Sequence, residues 1–194
     1  MSWVQYTSDI PSLVDNKGLT WAKNGGAGPK TEASDLKKIA GAIAELEGFT
    51  SYSGTAHVAF IRTSTGHWYV GCSGAAIGSS LAAEMKECIN AVVPTAQQAG
   101  WTVLTTVEIL KDFKTIVDKI KSPSIIGSDG TSLGCAEKKL LSYLHQNSLG
   151  AEPKTLSTFR VSGAKSEWVY PCMSCAYCIA YYSNTLCKKA TVSS

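Results

Sequence analysis

The sequence has no long apolar run and no recognisable leader. None of its hydrophobic stretches approaches the roughly 18 residues that a membrane-spanning helix needs. Residues 1–9 lack the basic start and apolar core of an ordinary signal peptide. We therefore expect no membrane partner, and a location in the cytoplasm unless a specialised machine exports the chain.

The excess of positive charge is also small. The formal net charge is +3, and Arg62 and Arg160 are the only arginines among 18 basic residues. This composition excludes a strongly cationic nucleic-acid-binding domain and leaves a mildly basic protein. A hydrophobic content of 44% with 17% charged residues is typical of a globular chain, and 194 residues suit one domain, with an extension at most.

Cysteine, by contrast, is abundant, with seven residues in the chain. Cys135 opens a Cys-Ala-Glu motif, and Cys172 and Cys175 belong to a Pro-Cys-x-x-Cys motif at 171–175. Three thiolates fill three positions of a tetrahedral zinc ion and leave the fourth open for water. A neighbouring carboxylate, here Glu137, can carry protons to and from that position. The motifs thus predict Zn²⁺ as cofactor, the three cysteines as its ligands and Glu137 as the catalytic residue.

These paired motifs resemble those of the cytidine deaminase superfamily in its all-cysteine form. The flanking Cys-Ala-Glu-Lys-Lys-Leu-Leu at 135–141 and Ser-Glu at 166–167 are similar to the polymorphic bacterial-toxin deaminases, including those that act on DNA. The motif-bearing part covers residues 130–185, about a third of the chain. The resemblance implies a three-layer α/β/α fold, with a mixed β-sheet and helices on both faces.

The resemblance also implies an activity and partners. It implies hydrolysis of cytosine to uracil in nucleic acid, with single-stranded DNA favoured over duplex DNA or RNA. The backbone of Ala136 would hold the pyrimidine ring, and Trp168 and Tyr170 would wall the base pocket, where stacking contributes ~1–3 kcal/mol per base. A toxin domain of this kind would be delivered by specialised secretion and would have an immunity protein as partner.

Several alternatives stay open at this stage. The enzyme alternative is a deaminase of free cytidine or another nucleoside, or of adenine, and the non-enzyme alternative is a zinc-stabilised interaction module. Trp168 and Tyr170 can equally pack in the core or in a loop. Cys175 and Cys178 can replace the pair at 172 and 175 as ligands, and a purely structural zinc site can be closed by four cysteines: Cys172, Cys175, Cys178 and Cys187.

The domain organisation follows from the periodicity. Residues 1–31 are predicted to form an arm packed on the body, and residues 32–194 a deaminase-like catalytic domain with an insertion at about 74–130. Within it we expect a β-hairpin at 57–63 and 67–71, strands at 101–110 and 155–162, and helices at 31–48, 79–93, 113–120, 134–146 and 172–182. In the family that the motifs resemble, one or two strands follow the Pro-Cys-x-x-Cys helix. We expect the strand at 101–110 to occupy the sheet position of such a strand. His57 and His67 are expected to be ordinary strand residues rather than groove residues, and Cys72 and Cys88 buried free thiols.

Overall fold

A computed structural model of the chain describes residues 30–50, 56–121, 133–147, 153–162, 165–169 and 171–186. The predicted N-terminal arm therefore lies outside the described residues, apart from its last two positions. Tyr170 and Cys187 also lie outside them.

Helices and strands alternate along the described chain. The elements are α1 (Lys30–Ala44), α2 (Glu47–Thr50), β1 (Ala56–Thr63), β2 (Trp68–Cys72), α3 (Ser79–Val92), α4 (Thr95–Gln98), β3 (Trp101–Val103), α5 (Lys111–Lys121), α6 (Ala136–Gln146), β4 (Pro153–Ser162), β5 (Lys165–Val169) and α7 (Met173–Tyr181), followed by a π-helical turn at Tyr182–Leu186. Among these described helices, none combines the length and the apolar character needed to cross a membrane.

The five strands form one mixed sheet in the order β3-β2-β1-β4-β5. Strand β1 pairs antiparallel with β2 and with β4, β4 pairs antiparallel with β5, and β3 lies parallel to β2. Gly66 has a φ of +85° in the turn between β1 and β2, a conformation that glycine adopts without steric cost. The parallel β2–β3 pair needs a crossover connection, which α3 provides.

Both faces of the sheet are covered, because successive side chains of a strand point to opposite faces. Val58 and Phe60 of β1 belong to a first core cluster with α1 and α3. Ala59 and Ile61 belong to a second core cluster with α5, α6 and α7. The predicted three-layer α/β/α fold is thereby confirmed.

Most predicted elements are present within a few residues of their expected ends, but the strand predicted at 101–110 is wrong beyond Val103. The chain after it leaves the sheet to run along α6. There Ser142 Oγ accepts a hydrogen bond from the Leu110 amide at 3.1 Å, and Gln146 Nε2 donates one to the Glu108 carbonyl at 2.8 Å. A pattern of β-branched residues cannot show such helix contacts. Strand β5 was not predicted at all.

Candidate metal centre and adjoining cavity

Three cysteines meet where two helices begin. Cys135 is the residue that precedes the first turn of α6, Cys172 holds the same position on α7, and Cys175 lies in the first turn of α7. The Sγ atoms of Cys135 and Cys172 are 3.9 Å apart, and all three Sγ atoms lie within 4.8 Å of one another. The structure thus brings the three predicted ligands into one group, called the cysteine cluster below.

The cysteine cluster fits a single metal ion. Zn–S bonds of about 2.3 Å in a tetrahedral site place sulfur atoms about 3.8 Å apart, close to the spacing of Cys135 and Cys172. Thiolates are soft donors of the kind that zinc binds, although the donor set alone does not identify the metal.

Cys178 does not belong to this group. Its side chain is fully buried in the second core cluster, and burial raises the pKa of its thiol to about 12. The thiol is therefore protonated at neutral pH and behaves as a small apolar side chain. Cys72 is buried and Cys88 half-buried, and all six described cysteines are free thiols.

Charge around the cysteine cluster favours a thiolate at Cys172. Hydrogen bonds from the neighbouring thiols of Cys135 and Cys175 lower the pKa of Cys172, and the Lys138 ammonium lowers it further. The hydrogen bond to Cys172 raises the pKa of Cys135 to about 12. The helix N-termini add partial positive charge, which also stabilises thiolates.

Lys138 is a buried cation beside the cluster. Its Nζ donates hydrogen bonds to Ser174 Oγ at 2.8 Å and to Cys175 Sγ at 3.4 Å, and its side chain is fully buried. Burial alone lowers the pKa of Lys138, but the charge of the cluster thiolates outweighs burial and raises the pKa above its usual value. The ammonium thus offsets negative charge that three thiolates would bring.

Glu137 lies next to the cluster, also buried. Its Oε1 accepts a hydrogen bond from Thr158 Oγ1 at 3.0 Å, and its Oε2 is 3.6 Å from Cys175 Sγ. Burial raises the pKa of Glu137, and the charge of the Cys172 thiolate raises it further. A carboxyl group whose pKa is raised above its ordinary value accepts a proton more readily, and it can return that proton.

A cavity of about 170 Å³ opens beside the cluster. Ala136 and Glu137 line it together with Cys135 and Cys172, so the first turn of α6 forms one wall. The remaining described lining residues come from the sheet and its loops: His57, Ser73, Arg160 and Val169. We call this space the site cavity.

The loop after β2 is fixed against α6. Lys139 Nζ donates hydrogen bonds to the carbonyl of Cys72, the last residue of β2, and to the loop carbonyls of Gly74 and Ala75, at 2.8 to 3.0 Å. The Ser73 hydroxyl in turn accepts a hydrogen bond from the His57 amide at 2.8 Å. These hydrogen bonds therefore fix the positions of Ser73 and His57, two lining residues of the site cavity, relative to α6.

Trp168 is not one of the described residues that line the site cavity. It lies in β5, where its side chain packs half-buried against the first core cluster on the opposite face of the sheet. Its neighbour Val169 lines the site cavity instead. The structure thus supports the packing alternative for Trp168. For Tyr170 it describes nothing.

Sequence reasoning missed several residues of the site. Thr158 and Arg160 could have been found, because alternation along β4 puts residues 156, 158 and 160 on one face. The same alternation along β1 puts His57 at the site cavity, although the sequence favours an ordinary strand residue there. Nothing in the sequence distinguishes Lys138 from an ordinary solvated lysine.

No protein-family model, curated protein or solved structure matches this chain.

Proposed function

We propose that this chain is a zinc-dependent hydrolytic deaminase that converts cytosine to uracil in nucleic acid, with single-stranded DNA as the favoured substrate. One observation carries the proposal: three thiols that can hold one metal ion lie against a buried carboxyl group, and both border a cavity. A purely structural site would need a fourth ligand and no cavity. The choice of cytosine and of DNA rests on the resemblance of the motifs.

The chemistry can be divided between the metal and the chain. Zinc with three protein ligands lowers the pKa of water in its fourth position to about 7. Glu137 borders both the cysteine cluster and the site cavity, so its carboxyl group can take a proton on one side and release it to a ring on the other. Thr158 holds Oε1 of Glu137 and so directs Oε2 toward the cluster.

The walls of the site cavity would orient the ring. Ala136 presents a small side chain in the first turn of α6, which lets a flat ring approach the helix backbone. Val169, at the end of β5, supplies an apolar surface on another wall of the site cavity. Exclusion of bulk water by these walls strengthens the electrostatic contacts of Glu137 with a bound base.

The test compares the wild type with Glu137→Gln and with Glu45→Gln, an exposed glutamate after α1 that serves as the matched control. Each protein is loaded with zinc and offered single-stranded DNA, duplex DNA, RNA and free cytidine. Products are analysed by mass for replacement of the amine by a carbonyl, and bound metal is measured by elemental analysis.

We expect uracil from the wild type and from Glu45→Gln, and at least a 100-fold lower rate from Glu137→Gln with one zinc still bound, since general acid–base catalysis contributes about 10²–10⁴-fold. Turnover of free cytidine alone would replace the nucleic-acid proposal by the nucleoside alternative. Absence of turnover on every substrate, with zinc bound, would refute the deaminase proposal in favour of an interaction module.

A further inference from the structure

Arg160 occupies the rim of the site cavity. It lies in β4 directly opposite His57 of β1, and both residues line the cavity. Its side chain is 53% exposed, so this lining residue is also accessible from solvent. Among the described lining residues, Arg160 is the only lysine or arginine.

The interior of the site cavity is too small for a whole nucleotide. Its volume of about 170 Å³ is below the ~300–1,000 Å³ of pockets that enclose drug-sized ligands. A single ring can enter, and any sugar and phosphate attached to it must stay at the rim.

The partner of Arg160 can be exchanged. Its guanidinium group makes an ion pair with Glu167 of β5 at 2.9 Å, and the Glu167 side chain is 70% exposed. Ion pairs this exposed add little to stability, so a competing anion displaces the carboxylate readily. A phosphate group presents the bidentate geometry for which the guanidinium group is suited.

The other arginine has a different environment. The Arg62 guanidinium lies 5.9 Å from the centre of the Trp68 ring, and Arg62 is not among the described residues that line the site cavity. The two arginines therefore provide a matched pair, equal in charge and different in position.

We propose that Arg160 binds a phosphate group of the substrate at the rim of the site cavity, so that a nucleotide or polynucleotide is recognised in preference to a free nucleoside. The inference rests on the proposed function and specifies its substrate class. The phosphate can belong to the target nucleotide itself or to its neighbour in a strand.

The experiment compares wild type, Arg160→Gln, Glu167→Gln and Arg62→Gln. The value of kcat/KM is measured on deoxycytidine, on deoxycytidine monophosphate and on a short single-stranded oligodeoxynucleotide with one cytosine. Binding of the same oligodeoxynucleotide, fluorescently labelled, is measured by anisotropy over a range of salt concentrations. Circular dichroism establishes that each variant is folded.

We expect Arg160→Gln to lower kcat/KM on the oligodeoxynucleotide about tenfold more than on deoxycytidine, as loss of a hydrogen bond to a charged group implies. Its salt slope for binding should fall by about 0.7, the value for one phosphate contact on a single strand. Glu167→Gln should raise oligodeoxynucleotide affinity, and Arg62→Gln should match the wild type. An equal loss on deoxycytidine monophosphate would assign the phosphate to the target nucleotide.

Two results would overturn the inference: an equal fall in kcat/KM on deoxycytidine and oligodeoxynucleotide, or a salt slope that Arg160→Gln and Arg62→Gln change alike. Failure of the proposed function looks different. In that case the wild type turns over none of the three substrates, while the salt slopes still decide whether Arg160 contacts phosphate.

Discussion

Lys138 provides the sharpest test of the metal centre. Replacing it by methionine removes the ammonium group and keeps an unbranched chain that fills much of the same space. The change deletes the hydrogen bonds to Ser174 Oγ and Cys175 Sγ, at 2.8 and 3.4 Å, and leaves all three cluster cysteines in place. If the ammonium offsets the charge of three metal-bound thiolates, its loss should weaken metal binding.

The size of the effect follows from these contacts. A hydrogen bond to a charged group contributes about 1.5–3 kcal/mol, and outer-shell partners change metal affinity about 10- to 100-fold. We expect Lys138→Met to lose about 2 kcal/mol of zinc binding, or roughly 30-fold in Kd. The metal-free protein should lose stability as well, because removing the ammonium group leaves the buried Cys172 thiolate without a compensating charge.

Zinc affinity is measured by competition with a chromophoric chelator, and stability by urea unfolding with and without the metal. The control is Lys139→Met, one residue further along α6. Among the described residues, Lys139 donates to the backbone carbonyls of Cys72, Gly74 and Ala75 and not to a cluster sulfur. Its replacement should destabilise both forms of the protein and change zinc affinity by less than about threefold, since no hydrogen bond to a cluster sulfur is lost.

The reasoning would be refuted if the two lysine variants lost zinc affinity equally, or if Lys138→Met bound zinc as tightly as the wild type. Either result would mean that the Lys138 ammonium does not offset the charge of the bound thiolates.

Two further predictions concern neighbours of the cluster. Thr158→Val should lower kcat and destabilise the fold by about 1–3 kcal/mol, because it leaves the buried Glu137 carboxyl without its hydroxyl donor. Steady-state kinetics measures kcat and urea unfolding measures stability. Wild-type values of both would contradict the role given to Thr158 as the group that orients Glu137. Cys175→Ala should abolish stoichiometric zinc binding. Cys178→Ala should keep one zinc per chain and lower the free energy of unfolding by on the order of 1 kcal/mol through lost packing. Elemental analysis measures the zinc content, and loss of zinc from both variants would restore Cys178 as a ligand.

The sequence was most informative where the spacing of residues reflects the geometry of a single helix or strand. Cys172 and Cys175 are three residues apart and share one side of a helix start, so their convergence could be foreseen without a structure. The hairpin and the apolar stripes of α3 and α6 obey periods of 2 and 3.6 residues and were predicted for the same reason.

What could not be predicted depends on tertiary contacts. Lys138 follows a glutamate in a helical first turn, a pattern typical of solvent-exposed positions, and only the docking of α7 against α6 buries it. The family resemblance implied a base-pocket position for Trp168, with packing in the core or in a loop as the alternative. In the structure Trp168 lies in strand β5, which pairs with β4, and its indole packs on the face of the sheet opposite the site cavity.

The central position of β1 has a consequence for synthesis. One edge of β1 is paired as soon as β2 emerges, but the other must wait for β4, and roughly 90 residues separate Thr63 from Pro153, about 5–20 s of translation at 5–20 residues per second. An open strand edge is a template for pairing with other chains during that interval. Two of the three cluster thiols arrive later still, on α7. The nascent chain can therefore complete the cysteine cluster only after β4 and β5 have been synthesised, and the enzyme we propose would be inactive until α7 docks.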